Sequence, residues 1–279
     1  MPIVVETDSL KWLLSLMQRK QTIDGKSISQ VHSLMLKANE GRLSACTLVK
    51  DGVTSLMRLS IPCTGEGEFA ITDIEDVLGV LKYHGGVLYI TPETDKVKFK
   101  SSSKQTTLSA NKEARAFPHT PDTIALWAEK SDSLAKKINV DDMKYYTNEV
   151  EALDVALRLS DLNTTTLYEA FRCDSMNGQK FNKYTIQYTN NKLLVTVGDE
   201  LKGKTTTQIN EILYSYVNMK DESREITATY NGGLEYIFQH LNSDVNIGVW
   251  DFTHVNNGYP MLITLGDGDF IFQISNEVI

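Results

Sequence analysis

The chain has 279 residues, 41% of them hydrophobic and 23% charged, a globular composition with length for two domains of roughly 100 to 150 residues each. It holds no run near the roughly 20 apolar residues that a membrane-spanning helix needs, and its start, MPIVVETDSLKW, lacks the basic, apolar, small-residue order of a secretion signal, so the expectation is a protein neither inserted in a membrane nor secreted. A net charge of −8 argues against a surface coated for nucleic-acid binding, yet the charge is uneven: residues 1–117 hold 15 Lys and Arg against 13 Asp and Glu, leaving 13 against 23 for residues 118–279.

In chain order, the first predicted element is a helix opening at Asp8, whose carboxylate can cap the first backbone N–H groups. Leu10, Leu13, Leu14 and Met17 then stand at i, i+3, i+4, i+7. Strand-like runs come next in VHSLMLKA, RLSACTLV and TSLMRLSI, joined by the turn-like NEG and KDG. A second helix opens at Thr72 or Asp73, repeats the spacing with Ile74, Val77, Leu78 and Leu81, and stops at Gly85 and Gly86. GVLYITP, KVKFKSS and KQTTLSA continue as strands, with ETD as a turn. NKEARAFPHTPDTIALWAEKSDS, with two prolines and mixed charge, reads as a connector between β-rich blocks.

Beyond it a less regular stripe, Leu153, Ala156 and Leu157 blurred by Val150, Val155 and Leu159, predicts a helix over roughly Tyr146 to Leu162. KYTIQYTNNKLLVTVGDELKGKTTTQI reads as a hairpin turning at NN with a polar, edge-like strand after it. The tetrad returns once more after Asn231 as Leu234, Ile237, Phe238 and Leu241, followed by the strand DVNIGVWDF and a hairpin around GDGD in PMLITLGDGDFIFQIS. The order is helix, strands, helix, strands, twice over: an α+β chain duplicated in pattern.

Catalytic and metal-binding motifs are missing. Cys46, Cys63 and Cys173 are odd in number and scattered, which predicts a reducing compartment and no disulfide framework or zinc site. The five histidines have no HExxH or close acidic partners. GEGEF and GDGDF lack phosphate-loop spacing and read as turns, and Asp267 with Asp269 lacks the other ligands of a calcium loop. No GxSxG is present. The expectation is no catalytic residue, no metal and no cofactor.

The free helix faces carry the remaining signal. The first helix offers Lys11, Ser15, Gln18 and Arg19 with Lys20 beside them, the second Lys82 and His84, the central one Lys144 and Arg158, and the last only Gln239, His240 and Asn242. Such faces are either solvated or a weak cationic surface that touches phosphates without reading bases.

LSACTLVKDGVTSLMRLSI, FAITDIEDVLGVLKYHGGVLYITPETDKVKFKSS, TNNKLLVTVGDELKGKTTTQI, ATYNGGLEYIFQHLNSDVNIGVW and PMLITLGDGDFIFQI occur in an order that resembles the sliding DNA clamps, the ring-shaped processivity factors typified by proliferating cell nuclear antigen. The resemblance covers nearly the whole chain. It implies two tandem clamp domains, 1–117 and 135–279, joined by an interdomain connector over 118–134, each with two helices packed on antiparallel sheets. Six such domains close a ring, so it implies a homotrimer joined through edge strands, here Lys104 to Ala110 and Lys204 to Ile209.

In function, the resemblance implies a non-enzymatic DNA polymerase processivity factor that encircles duplex DNA without sequence specificity, with Lys11, Arg19, Lys20, Lys82, Lys144 and Arg158 toward the hole. It also implies DNA polymerase and other replication proteins as partners through short peptide motifs, and a clamp loader. The peptides would fill an apolar pocket at Leu48, Val53, Ile124, Leu126, Trp127, Pro260 and Ile274. Its place would be the cytoplasm or nucleoid, or a host replication site for a viral member. Departures are the last helix without Lys or Arg, a long segment from Asn163 to Phe181 and no Ala-Pro before the tail. The residues alone leave two other readings open: a monomeric or dimeric processivity factor that forms no ring, and a β-rich virion structural protein.

Overall fold

A computed structural model describes residues 1–23, 26–49, 55–110, 121–139, 143–147, 151–172, 183–189, 192–199, 203–210, 214–217, 225–231, 234–241, 243–251, 258–266, 268–273 and 277–278. The elements up to the connector are β1 (Ile3–Glu6), α1 (Thr7–Met17), β2 (Lys20–Ile23), β3 (Lys26–Ser29), β4 (Leu34–Asn39), β5 (Arg42–Val49), β6 (Ser55–Pro62), β7 (Gly67–Ile71), α2 (Ile74–Leu81), β8 (Val87–Pro92), β9 (Lys96–Lys100) and β10 (Gln105–Ser109). After them come α3 (Pro121–Lys137), β11 (Ile138–Asn139), β12 (Lys144–Thr147), β13 (Glu151–Asp154), β14 (Leu157–Leu162), α4 (Thr164–Phe171), β15 (Lys183–Thr189), β16 (Lys192–Asp199), β17 (Gly203–Ile209), β18 (Tyr214–Val217), β19 (Ile226–Asn231), α5 (Leu234–His240), β20 (Val245–Val249), β21 (Met261–Thr264), β22 (Phe270–Gln273) and β23 (Glu277–Val278).

The chain divides into two units: Met1–Arg19, Ser29–Leu48 and Met57–Ser133 form the first, and Lys20–Ile28, Val49–Leu56 and Leu134–Ile279 the second. In the first, the chain runs twice through strand, helix and three strands, apart from the short ribbon β2–β3: β1-α1-β4-β5-β6, then β7-α2-β8-β9-β10. Each half donates its leading strand to the other half's sheet. The antiparallel sheets are therefore ordered β1-β8-β9-β10 and β7-β4-β5-β6. The second unit repeats the device with β14-α4-β15-β16-β17 and β19-α5-β20-β21-β22: β14 pairs with β20 and β19 with β15. Strands β10 and β17, the two expected edges, each end a sheet.

The helices follow their apolar stripes. In α1 Leu10, Leu13, Leu14, Leu16 and Met17 are buried, and α2, which packs beside it, buries Ile74, Val77 and Leu81. Each such side chain contributes about 1.5–3 kcal/mol of hydrophobic stabilisation. They meet the inward residues of alternating strands, such as Leu34, Leu36 and Ala38 of β4, while Met35, Lys37 and Asn39 face the other way. In the second unit α4 and α5 pack together, and Phe171 sets its ring 4.7 Å from Tyr184 and 5.3 Å from Phe238. Buried Tyr230 donates its hydroxyl to the Tyr259 carbonyl at 2.6 Å, and burial pushes its pKa upward.

Three expectations change. The helix expected over Tyr146 to Leu162 is instead the strands β12, β13 and β14: within β14 buried Leu157 and Leu159 alternate with partly exposed Arg158 and Ser160, and β14 is held between β18 and β20. The second unit's first helix is α4, capped by Asn163, whose Oδ1 accepts from Thr165 N at 2.9 Å and Thr166 N at 3.1 Å. Helix α1 opens at Thr7 with no side-chain cap. Its start is tied by Thr7 N and Oγ1 donating to the Gly86 carbonyl at 2.9 and 2.6 Å, and Asp8 lies in the first turn. Asp73 caps α2 as expected, accepting from Glu75 N and Asp76 N at 2.9 and 3.3 Å.

Candidate functional site

Two surfaces of the first unit carry the chemistry expected of the chain: the outer face of the helix pair, and the connector. On α1, Lys11 is partly exposed and its Nζ lies 2.8 Å from Asp8 Oδ1. Lys82 is exposed at the C-cap of α2, where a cation also complements the carbonyl end of the helix. Arg19 does not join them. It is 4% exposed, adopts a left-handed φ of 50° just past α1, and directs Nη1 to Met57 Sδ at 3.7 Å. Lys20 is partly exposed on β2. Lys144 and Arg158, expected on a helix, are partly exposed on strands β12 and β14.

The helix face of the second unit presents a cation that the sequence reading missed, Arg172 at the end of α4. It lies 3.8 Å from Glu169 and 5.8 Å from the centre of the Tyr168 ring. The signal was Asn163 followed by Thr164, Leu167, Ala170 and Phe171, a short capped stripe.

The connector is mostly helix α3, and through Ser133 it belongs to the first unit. It covers the sheet face opposite α1 and α2. Ile124 and Ser131 are buried there, and the buried Cys46 thiol donates to the Trp127 carbonyl at 3.7 Å. Burial raises the Cys46 pKa to about 12, so the thiol is neutral at ordinary pH and unsuited to nucleophilic work. Arg58 Nη1 meets Asp132 Oδ1 at 3.0 Å across the helix–sheet junction, a partly exposed pair.

Of the residues expected to bind partners, Leu48 and Ile124 are buried, Leu126 is 49% exposed, and Trp127 is partly exposed with Lys130 Nζ 4.2 Å above its ring. Pro260, in the second unit, is buried, and its carbonyl accepts from Trp250 N at 3.0 Å. Val53 and Ile274 lie outside the described residues. A cleft of about 260 Å³ beneath α3 mixes Met35, Ala45, Cys46, Ala125 and Ala128 with the charged Lys37, Arg58, Glu68, Glu129 and Asp132, and none of the residues expected to bind partners is in its lining.

Ring nitrogens of His84, at the end of α2, lie 3.0 Å from Ser101 Oγ and from Thr106 Oγ1, fastening the last hairpin of the first unit to the helix layer. Burial, and secondarily Lys104, lower its pKa below the usual 6.5. Among the described residues no group of three His, Cys, Asp or Glu could hold a metal ion, and no helix is long and apolar enough to cross a membrane.

No family model and no curated protein matches this sequence. Solved structures do match its fold. The DNA polymerase III beta chain of Streptococcus pneumoniae is similar over 99% of this chain and 64% of its own length, at 13% identity and a TM-score of 0.60. A Helicobacter pylori beta clamp bound to DNA ligase peptide is similar over 99% and 66%, at 12% identity and a TM-score of 0.57. PCNA of Thermococcus kodakaraensis is similar over 98% of both chains, at 14% identity and a TM-score of 0.58. The chain thus spans about two-thirds of the length of those two bacterial clamps and nearly all of the archaeal one. With its paired βαβββ halves, exchanged leading strands and two-helix layers, this chain has the fold of the DNA sliding clamps.

Proposed function

We propose that the protein is a DNA sliding clamp, a processivity factor without chemistry of its own that encircles duplex DNA and tethers replication proteins. The observation that carries the reading is the repeated two-helix unit, matched end to end by PCNA of Thermococcus kodakaraensis. In this reading residues 1–117 and 135–279 are the clamp domains and 118–134 the connector. Three copies supply six domains, and β10 of one copy pairs with β17 of the next, which removes two open sheet edges.

The helix faces line the hole. Lys11 and Lys82, with Arg172 from the second unit, supply weak phosphate contacts, with Lys20, Lys144 and Arg158 as outlying cations. Weak contacts suffice because a closed ring cannot dissociate sideways, and an acidic body limits adhesion elsewhere. Partners dock by short peptides, as one bacterial relative holds a DNA ligase peptide. Leu126 and Trp127 on α3 are the anchors the connector offers, and a loader opens the ring where it is stably closed.

Retention on DNA of different topology tests the proposal. Protein placed on nicked circular duplex by a loader, or by spontaneous opening, should survive a high-salt wash and be released when the circle is cut. Release from circles and linear duplex at the same rate would refute encirclement.

A further inference from the structure

The outward face of the sheet β1-β8-β9-β10 carries a cationic row that the helix-side function does not use. On β9, Val97 and Phe99 are buried and turned to the core, which puts Lys96, Lys98 and Lys100 on the opposite face. Alternate residues of a strand repeat about every 6.8 Å, comparable to the spacing of successive phosphates along an extended single strand.

The strands on either side complete the surface. Tyr89 of β8 stands directly across from Lys100 and is 44% exposed; Val87 beside it is 42% exposed. Gln105, Thr107 and Ser109 of β10 stand across from Lys100, Lys98 and Lys96 and are exposed, adding side-chain donors. Lys98 is engaged by Glu93 at 2.5 Å, whereas Lys96 and Lys100 form no ion pair among the described residues. A protein of net charge −8 therefore presents two unneutralised lysines, a third within its own ion pair, and a bare tyrosine ring on one sheet face.

We propose that this face is a binding site for single-stranded nucleic acid, which runs along β9 with its phosphates on Lys96 and Lys100 and a base stacked on Tyr89. The chemistry is that of a non-specific single-strand site: a cationic track holds the backbone while an aromatic side chain accepts any base. The site does not depend on ring closure or on the helix faces, so it stands or falls separately from the clamp reading.

Fluorescence anisotropy of labelled oligo(dT) with the full-length protein tests it, over a salt series. Lys96→Glu/Lys100→Glu should weaken binding at least tenfold at 100 mM salt. Charge removal alone, in Lys96→Gln/Lys100→Gln, should reduce the log–log salt slope by about 1.4, at about 0.7 for each phosphate left without its lysine. Tyr89→Ala should weaken binding about tenfold with the slope unchanged, since stacking releases no counterions. The thermal midpoint should hold in all three variants because the side chains are surface groups. The proposal is overturned if the wild-type protein does not bind oligo(dT) at low salt, or if the Lys96/Lys100 variants bind it normally. It is equally overturned if polyglutamate competes as well as oligo(dT) while Tyr89→Ala has no effect, which would make the face a site for acidic protein segments.

Discussion

Lys11 and Arg19 both read as cations on one free helix face, and the structure separates them. Lys11 lies within α1, where its stem leaves the helix surface toward solvent and Asp8. Arg19 lies past the last helical turn, and its positive φ redirects the chain so that the guanidinium is buried beside Met57. The two positions should therefore answer substitution differently. Lys11→Glu/Lys82→Glu should reduce retention on circular DNA several-fold and leave the urea midpoint unchanged, since both side chains are partly or fully exposed. Arg19→Glu should lower unfolding stability by about 3–5 kcal/mol, the usual penalty for an uncompensated buried charge. Urea denaturation of both variants distinguishes the roles: a stable Arg19→Glu protein with impaired DNA retention would return Arg19 to the DNA surface.

At the scale of elements, stripes of four apolar residues located α1, α2 and α5 because each helix has one face on a sheet and the spacing records it. The region 146–162 was misread for a physical reason. Val150, Leu153, Val155, Ala156, Leu157 and Leu159 satisfy a helical period and a strand period at once, and pairing of β14 with β18 and β20 decides between them. Helix α4 is only eight residues long, so its stripe is brief, although Asn163 advertised its start. Helix α3 has Pro121 in its first turn, where proline is tolerated, and it buries Ile124 and Ser131 while its Trp127 carbonyl accepts from the Cys46 thiol of the sheet.

The edge strands permit a sharper test of assembly. Ser101 N donates to the Lys104 carbonyl and Ala110 N to the Asp95 carbonyl, so the N–H groups of residues 106, 108 and 110 face β9, and those of 105, 107 and 109 face away. Thr107→Pro removes an outward donor while sparing the β9 ladder, as proline on an edge strand can. It should shift the protein from trimer to monomer with a nearly unchanged circular dichroism spectrum. A trimer that survives Thr107→Pro would mean that β10 is not the joining edge.

For the whole molecule, the prediction is one of mass. A chain of 31.3 kDa should appear by native mass spectrometry or light scattering as a species of about 94 kDa that persists on dilution. A strict monomer or dimer would point to a processivity factor that forms no ring.

The sequence by itself determined the α+β class, the helices α1, α2 and α5 with the strands around them, and the concentration of positive charge in the first 117 residues, because periodicity and composition are local properties of a chain. Tertiary structure alone decided which leading strand joins which sheet, that β12, β13 and β14 pair as strands, and that Arg19 is buried. Those outcomes depend on residues far apart in sequence competing for the same buried surface and the same backbone hydrogen bonds, and no local pattern records the winner.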